Sequence, residues 1–203
     1  KGEYILPKGF DALDANSYYA RADVKSNLAG LAAYHISNAE KFSYRAAMVQ
    51  NEWQQKSAGT LLLGGQAYYA SIKGDSSLVP PLNANSFKQT GIDKISVITV
   101  GPGIGYAYTL VAAKHVYIMA SLIGNVDVNF ANEYIGSASN GKVSVEPAAI
   151  YKAAVGYNSA SWGVVGVWAG NAILFKGASY SKAYFLPTGL FSVAINKKIF
   201  LKR

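Results

Sequence analysis

The sequence predicts an all-β fold, an antiparallel up-and-down transmembrane β-barrel, and three observations indicate it. Stretches of 11 or more residues alternate apolar with polar or small side chains, which is the period of a strand with two different faces. The connections between these stretches differ strongly in length. Only 15% of the residues are charged, whereas soluble domains usually carry about 25%, and the chain contains 15 tyrosines. The sequence has no run of about 20 apolar residues that could form a membrane-spanning helix.

The first two predicted crossings are residues 27–37 and residues 42–72. The second is interrupted at residues 50–57, which are too polar for a lipid-facing strand and are expected to bulge into the lumen. An ordinary loop between two strands, at residues 42–49 and 57–72, is the alternative, and it would give eight strands. The first crossing alternates, and one of its faces comprises Leu28, Ala32, Tyr34 and Ile36.

The next three crossings show the clearest alternation, at residues 95–111, 115–130 and 143–157. In the middle one the even positions from Val116 to Phe130 are apolar or small, and the odd positions become increasingly polar. Residues 162–175 and 185–201 form the last two crossings, with weaker alternation. These lengths exceed the five or six residues of ordinary strands, so the pattern argues against a soluble lipocalin-like barrel and favours strands that cross a bilayer.

The connections also fit such a barrel, in which short periplasmic turns alternate with long external loops. The predicted short turns are residues 38–41, 112–114 and 158–161, and the predicted long loops are residues 73–94, 131–142 and 176–184. Aromatic girdles at the two membrane interfaces are expected near strand ends. The candidates for these girdles are Tyr18, Tyr19, Tyr34, Tyr44, Tyr106, Tyr108, Tyr157, Trp162, Trp168, Tyr184 and Phe185.

Seven crossings make an odd number, whereas bacterial single-chain barrels have even strand numbers. At least one strand is therefore expected before Lys1. On this interpretation residues 1–203 form a single outer-membrane barrel domain, the C-terminal part of a longer barrel.

Several motifs resemble domain-of-unknown-function family 4421. The longest is FSYRAAMVQNEWQQKSAG at residues 42–59, and GPGIGYAYTL follows at residues 101–110. Shorter matches are LGG from Leu63, KGD from Lys73, Lys114-His115 and AVGYN from Ala154. The resemblance covers nearly the whole chain. It implies an outer-membrane barrel of Bacteroidetes bacteria that lacks its signal peptide and N-terminal strands here, and it implies no particular activity.

The densest polar cluster predicts the contents of the lumen. It consists of Arg45, Gln50, Glu52, Gln54 and Lys56. Such side chains could line a constriction that selects solutes by charge, as rings of charged residues do in pores. Alternatively they form a satisfied network that plugs a narrow barrel. Further lumen candidates from the inward positions of the strands are His115, Asn125, Asp127, Glu146 and Lys152.

Catalysis and metal binding find little support in the sequence. Cysteine is absent, and the two histidines, His35 and His115, lie far apart. Ser121 and Asp127 share the predicted inward face with His115, but they lie roughly 20 Å and 40 Å away along an extended strand at ~3.3 Å per residue. We expect no enzyme, no cofactor and no metal. A membrane-embedded lipid-modifying enzyme using either histidine is the outside alternative.

The expected function is therefore that of an outer-membrane barrel of unknown cargo, either a narrow pore for small solutes or a plugged barrel with a polar lumen. A scaffold for another outer-membrane protein, without conductance, is the alternative. The expected partners are outer-membrane lipid and other outer-membrane proteins. Nucleic acid is not expected despite the net charge of +8, because the basic residues are scattered along the chain.

Overall fold

In a computed structural model the chain folds as seven β-strands joined by tight turns and loops. The structure describes residues 21–79, 89–179 and 183–197. A single π-helical turn, Arg45–Val49, is the helical element of the described part. The strands are β1 Lys25–Ile36, β2 Ala58–Lys73, β3 Lys94–Ala112, β4 Val116–Ile135, β5 Ala138–Asn158, β6 Trp162–Lys176 and β7 Ala183–Lys197.

The strands form one antiparallel meander in the order β1-β2-β3-β4-β5-β6-β7, curled into a half-barrel. The predicted all-β meander is thus confirmed. Because each strand reverses the one before it, β1 and β7 run in the same direction and form the two edges of the described sheet. We call the end with residues 113–115 and 159–161 the turn end. The opposite end, with residues 74–93 and 177–182, is the loop end.

Two predicted connections are wrong. Residues 131–142 are not a long loop, because β4 continues to Ile135 and β5 begins at Ala138, leaving a two-residue turn with Gly136 at a φ of 58°. The glycine, serine and asparagine content of this stretch suggested a loop, yet its backbone pairs in register from Phe130↔Val143 to Ile135↔Ala138. The predicted loop at residues 176–184 includes residues 180–182, which lie outside the described residues.

The long second crossing is also wrong. Only Ala58–Lys73 is a strand, and residues 42–49 form neither the first half of a crossing nor a separate strand. Instead Phe42, Ala46 and Ala47 are buried against the inner face of the sheet, and the chain turns there through a π-helical turn. Burial of this apolar face outweighs the extended conformation that the alternation suggested. The last predicted crossing ended at residue 201, and residues 198–203 lie outside the described residues.

The two faces of the sheet differ as the alternation predicted. On β4 the even positions point outward and stay exposed, with Leu122 62% exposed, whereas the odd positions point inward and Met119 is fully buried. The outer face is thus apolar and exposed, which is the surface that a bilayer requires. The inner face carries the buried core. Other exposed apolar residues of the outer face include Ile98, Val100, Ile104, Leu110, Ile118, Val126, Val145, Val155, Val164 and Val193.

The first strand places its side chains in an unexpected way. Leu31, 74% exposed, points outward, whereas Tyr34 and Ile36 point inward and contact the core. Both faces of this strand carry apolar residues, so alternation alone does not separate them. Among the girdle candidates, Tyr44 and Tyr184 also bond inward, to Ser121 and Glu133. The outward aromatics are Tyr106, Tyr108, Tyr157, Trp162, Trp168 and Phe185, and Tyr18 and Tyr19 lie outside the described residues.

No helix in the described ranges is long and apolar enough to cross a membrane.

Candidate functional site

The connection between β1 and β2 folds back onto the inner face of the sheet, and we call residues 42–57 the plug. Local hydrogen bonds shape it. The Ser43 hydroxyl accepts from the Ala46 amide at 3.0 Å and donates to the Glu52 carboxylate, while Gln54 Oε1 accepts from the Ser43 amide at 3.0 Å. These bonds close residues 43–54 into a compact loop that presents one apolar side to the barrel interior.

The plug fills the turn-end half of the interior. Phe42 and Ala47 join one buried apolar cluster with inward residues of five strands, β2 to β6. Tyr34 and Ile36 of β1 pack against the same cluster. The cluster residues from the strands are Leu62, Ala107, Tyr117, Met119, Ile123, Ile150, Ala154, Val165 and Val167.

Gln50 anchors the plug at its buried end. The residue is 3% exposed and adopts the left-handed conformation, with a φ of 59°. Its Nε2 lies 3.1 Å from Tyr117 Oη and 3.0 Å from the carbonyl oxygens of Tyr157 and Val164, and its Oε1 accepts from Asn196 Nδ2 at 3.0 Å. One side chain therefore connects the plug to β4, β5, β6 and β7. The Tyr117 hydroxyl also donates to the Ala47 carbonyl at 2.8 Å.

A second anchor lies deeper in the barrel. Tyr44 Oη and Ser121 Oγ are 2.6 Å apart, and Ser121 is paired directly with Lys152 across β4 and β5. The Lys152 ammonium lies 4.9 Å from the centre of the Tyr44 ring, within the range of a cation–π interaction. Burial raises the pKa of the Tyr44 phenol above its usual value of 10.0, so the hydroxyl stays protonated at neutral pH.

Aromatic side chains connect the plug to the turn end. His115 lies between Trp53 and Tyr157, with ring centres 5.2 Å and 5.6 Å away. Trp53 Nε1 donates to the Lys114 carbonyl at 2.8 Å, and Asn158 Nδ2 donates to the Glu52 carbonyl at 2.9 Å. These contacts hold the exposed side of the plug against the two short turns.

A layer of polar side chains follows above the plug toward the loop end, and we call Gln66, Thr99, Asn125, Asp127 and Asn129 the polar layer. Each of the five is at most 4% exposed. Gln66 Nε2 donates to Asp127 Oδ2 at 2.6 Å, and the Tyr34 hydroxyl donates to Asn125 Oδ1 at 2.5 Å. The layer thus joins β1, β2, β3 and β4 by side-chain contacts.

The loop-end half of the interior is mostly apolar. Ala70, Val97, Ala131 and Phe175 form a second cluster, next to a cavity of about 170 Å³. Glu133 is 2% exposed there and accepts from the Tyr184 hydroxyl at 2.8 Å and the Ser179 amide at 2.7 Å. The interior therefore has an apolar layer at each end and a polar layer between them.

The family model described as "Domain of unknown function (DUF4421)" matches residues 3–182 of the 203. The chain belongs to this family. The match includes the plug, the polar layer and strands β1 to β6, and it ends just before β7. Neither the curated proteins nor the solved structures contain a match to the chain.

In this DUF4421 protein the five polar residues predicted as one constriction do not gather inside the barrel. Gln50 is buried, but Arg45 is exposed and lies 3.4 Å from Glu52 on the outer side of the plug. Gln54 and Lys56 lie on that side too, where Gln54 Nε2 donates to the Lys56 carbonyl at 3.1 Å. The sequence places these residues together, but the loop closed by Ser43 turns most of them toward solvent.

The other predicted lumen residues are divided between three regions. Asn125 and Asp127 belong to the polar layer, and Lys152 contacts Tyr44. His115 lies at the turn end, where its Nδ1 is 3.0 Å from the Asn158 carbonyl. Glu146 forms an ion pair with Lys176 at 2.7 Å, toward the loop end.

Several buried polar residues of this DUF4421 protein escaped the sequence interpretation. They could have been found by extending the inward parity of each strand to its neighbours, because all occupy inward positions of the strands identified. Within the described ranges no three His, Cys, Asp or Glu side chains gather as a metal cluster. The overlooked residues are Gln66, Thr99, Tyr117, Asn129, Glu133 and Asn171.

Proposed function

We propose that this protein is an outer-membrane β-barrel whose interior is sealed by the plug, so that it conducts no solutes and acts as a scaffold for another envelope component. The observation that carries the proposal is the buried position of Gln50, which ties the plug to four strands. A filled interior argues against the narrow pore.

The membrane assignment is supported by the outer face. Its apolar side chains follow the outward positions of β2 to β7, and Leu122, Val126 and Ile118 are more than half exposed in the middle of β4. Water around so much apolar surface would be unfavourable, whereas hydrocarbon would not. Together with the family resemblance, this supports placement in the outer membrane of a Bacteroidetes bacterium, with lipid as the surrounding partner.

The scaffold role is supported by the length of the β4–β5 hairpin. The 21 residues of β5 span ~70 Å at ~3.3 Å per residue, or ~50 Å of height for a strand tilted by about 45°. The apolar band of such barrels is about 25 Å tall. A substantial part of the hairpin would therefore stand outside the bilayer, where a protein partner could bind.

Conductance in planar bilayers tests the proposal. The wild-type full-length protein is expected to insert without opening a channel, whereas Gln50→Ala is expected to show flickering conductance because the plug loses its anchor. Gln54→Ala is the matched control, since Gln54 bonds only within the plug.

Steady conductance by the wild type would overturn the proposal in favour of a pore. Silence of a folded variant lacking the plug would show that the plug is not the seal. Recovery of the folded protein in the aqueous fraction, without vesicles, would overturn the membrane assignment.

A further inference from the structure

The polar layer contains one carboxylate with no ionic partner among the described residues. Asp127 is fully buried, and the ion pairs of the described chain join other residues: Arg21 with Asp23, Arg45 with Glu52, and Lys176 with Glu146. Its one side-chain hydrogen bond is from Gln66 Nε2, which is neutral. A buried charge without a counter-charge is strongly unfavourable, so something must neutralise Asp127 or pair with it.

The amide orientations next to Asp127 leave oxygens free rather than nitrogens. Gln66 uses its Nε2 on Asp127 Oδ2, and Asn129 uses its Nδ2 on the Asp127 carbonyl at 3.3 Å. Gln66 Oε1, Asn129 Oδ1 and Asp127 Oδ1 are all buried without a hydrogen-bond donor. Three acceptors on one carboxylate and its two neighbours thus lack a partner of positive or donor character.

These groups come from three adjacent strands but share one small region of the inner face. Thr99 pairs directly with Asn129, and Gln66 pairs with Gly101, which lies beside Asp127 on β3. A Cβ at Gly101 would lie 2.3 Å from Asp127 Oδ1, so the missing side chain is what lets the carboxylate lie across β3 toward β2. The geometry brings a carboxylate, two amide oxygens and a hydroxyl together at one place.

A proton cannot satisfy this set. Protonating Asp127 would supply one donor, and the Thr99 hydroxyl could supply one more, which leaves at least one of the three oxygens unpaired. A cation, by contrast, interacts with every oxygen that faces it and also supplies the missing charge.

We propose that Asp127, Gln66, Asn129 and Thr99 form a binding site for a hard monovalent cation, Na⁺, in the wall of the barrel. Oxygen-only ligands select hard cations over Zn²⁺ or Cu²⁺, which prefer nitrogen or sulfur. The single carboxylate matches a single positive charge. Mg²⁺ would retain several waters, for which the fully buried Asp127 and Asn129 leave little space. The bound ion joins β2, β3 and β4 and stabilises the middle of the barrel.

The test is the thermal unfolding midpoint of the full-length protein in detergent micelles as Na⁺ replaces choline at constant ionic strength. The wild-type midpoint is expected to rise by roughly 3–6 °C at tenfold saturation, because a ligand that binds only the folded state stabilises it. Asp127→Asn keeps the side-chain shape and removes the charge, so the rise is expected to disappear. Glu133→Gln is the matched control: it changes a buried carboxylate of the same strand whose two oxygens already have donors.

Several results would overturn the site. They are a wild-type midpoint that does not respond to Na⁺, which would assign the oxygens to buried water, and a response that survives in Asp127→Asn or disappears in Glu133→Gln. A Ca²⁺ response at lower concentration than the Na⁺ response would overturn the monovalent identity.

If Asp127→Asn does not fold, Thr99→Val supplies the test. It removes one oxygen at constant shape, and the Na⁺ response is expected to move to a several-fold higher concentration. An unchanged Na⁺ response in folded Thr99→Val would remove Thr99 from the site. None of these readouts involves conductance, so the outcome is independent of the proposed scaffold role.

Discussion

Gln50 and Gly163 fit against each other: a Cβ at position 163 would lie 2.2 Å from Gln50 Oε1. Gly163 is the first inward position of β6, and its missing side chain is the space that the Gln50 amide occupies. The same amide bonds Asn196 of β7 and the Val164 carbonyl. A glycine in a strand and a buried glutamine in a loop, more than 100 residues apart, therefore act together to seat the plug.

We predict that Gly163→Ala destabilises the folded barrel by about 1–3 kcal/mol, because the new methyl group displaces Gln50 and leaves its buried partners without hydrogen bonds. The measurement is the urea unfolding free energy in micelles. Gly166→Ala is the control on the same strand, since a Cβ there meets only ordinary contacts at 3.8 Å or more.

A double-mutant cycle separates this effect from the general strain of a larger residue. In the Gln50→Ala background the Gly163→Ala substitution is expected to lose most of its effect, because the clashing amide is gone. An equal loss of stability in both backgrounds would contradict the fit between Gln50 and Gly163.

Tyr117 gives a second measure of the plug. Its hydroxyl accepts from Gln50 Nε2 and donates to the Ala47 carbonyl, and the side chain is 5% exposed. Tyr117→Phe is expected to lower the unfolding free energy by about 1–3 kcal/mol, since two buried groups lose a partner. Tyr108→Phe, on the outer face of β3, is expected to change it by less than about 0.5 kcal/mol. Equal effects would show that Tyr117 does not hold the plug.

The strands could be predicted from the sequence because a sheet with one lipid-facing side imposes period two along each strand. On β4 this period identifies Asn125 and Asp127 as inward residues without any structure. The length of β4 and β5 could not be predicted, because Gly136 and the polar residues around it also fit a loop, and only the continuous pairing with the opposite strand decides between them.

The plug could not be predicted for a different reason. Its conformation depends on Gln50 contacts with Tyr117, Val164 and Asn196, which lie 67, 114 and 146 residues away in the chain. Local alternation at residues 42–49 carries no information about such contacts. The Gln66–Asp127 contact is similar, since it depends on the missing side chain of Gly101 on the strand between them.

The outer face predicts a depth-dependent response to charge. Leu122 lies near the middle of β4 and is 62% exposed, whereas Ile135 lies at its last position and is 48% exposed. If the outer face contacts lipid, Leu122→Arg is expected to destabilise the barrel by about 2–4 kcal/mol and Ile135→Arg by about 0–1 kcal/mol. Folding into lipid vesicles over a urea series measures both values.

The pair also has a result that contradicts lipid contact. In water an exposed leucine changed to arginine has little effect on stability, so equal and small values for the two variants would indicate that the outer face is not within a bilayer.

The segment before β1 is held to the loop end by a carboxylate. Asp23 forms a bidentate ion pair with Arg21, with both oxygens 2.6 Å from guanidinium nitrogens, and it accepts from the Asp75 amide at 2.9 Å. The Arg21 guanidinium also donates to the Ser77 carbonyl at 2.8 Å. The contacts attach residues 21–23 to the start of the β2–β3 loop.

These contacts predict an acid-sensitive attachment. The Arg21 hydrogen bond, with the Asp75 amide, holds the pKa of Asp23 well below its usual 3.8. A carboxylate with a lowered folded pKa contributes stability that is complete above its unfolded pKa and is lost as the pH falls through the folded one. The β2–β3 loop is therefore expected to stay attached down to about pH 4 and to detach in stronger acid.

Hydrogen exchange at the Asp75 amide measures this attachment. Asp23→Asn is expected to make that amide exchange faster at neutral pH, because the ion pair with Arg21 is lost and the bond to Asp75 weakens. Asp75→Asn removes an equal charge from an exposed side chain and keeps the amide, so its exchange is expected to stay near the wild-type rate. Equally fast exchange in both variants would show that net charge at the loop end, rather than the Asp23 contacts, holds the loop.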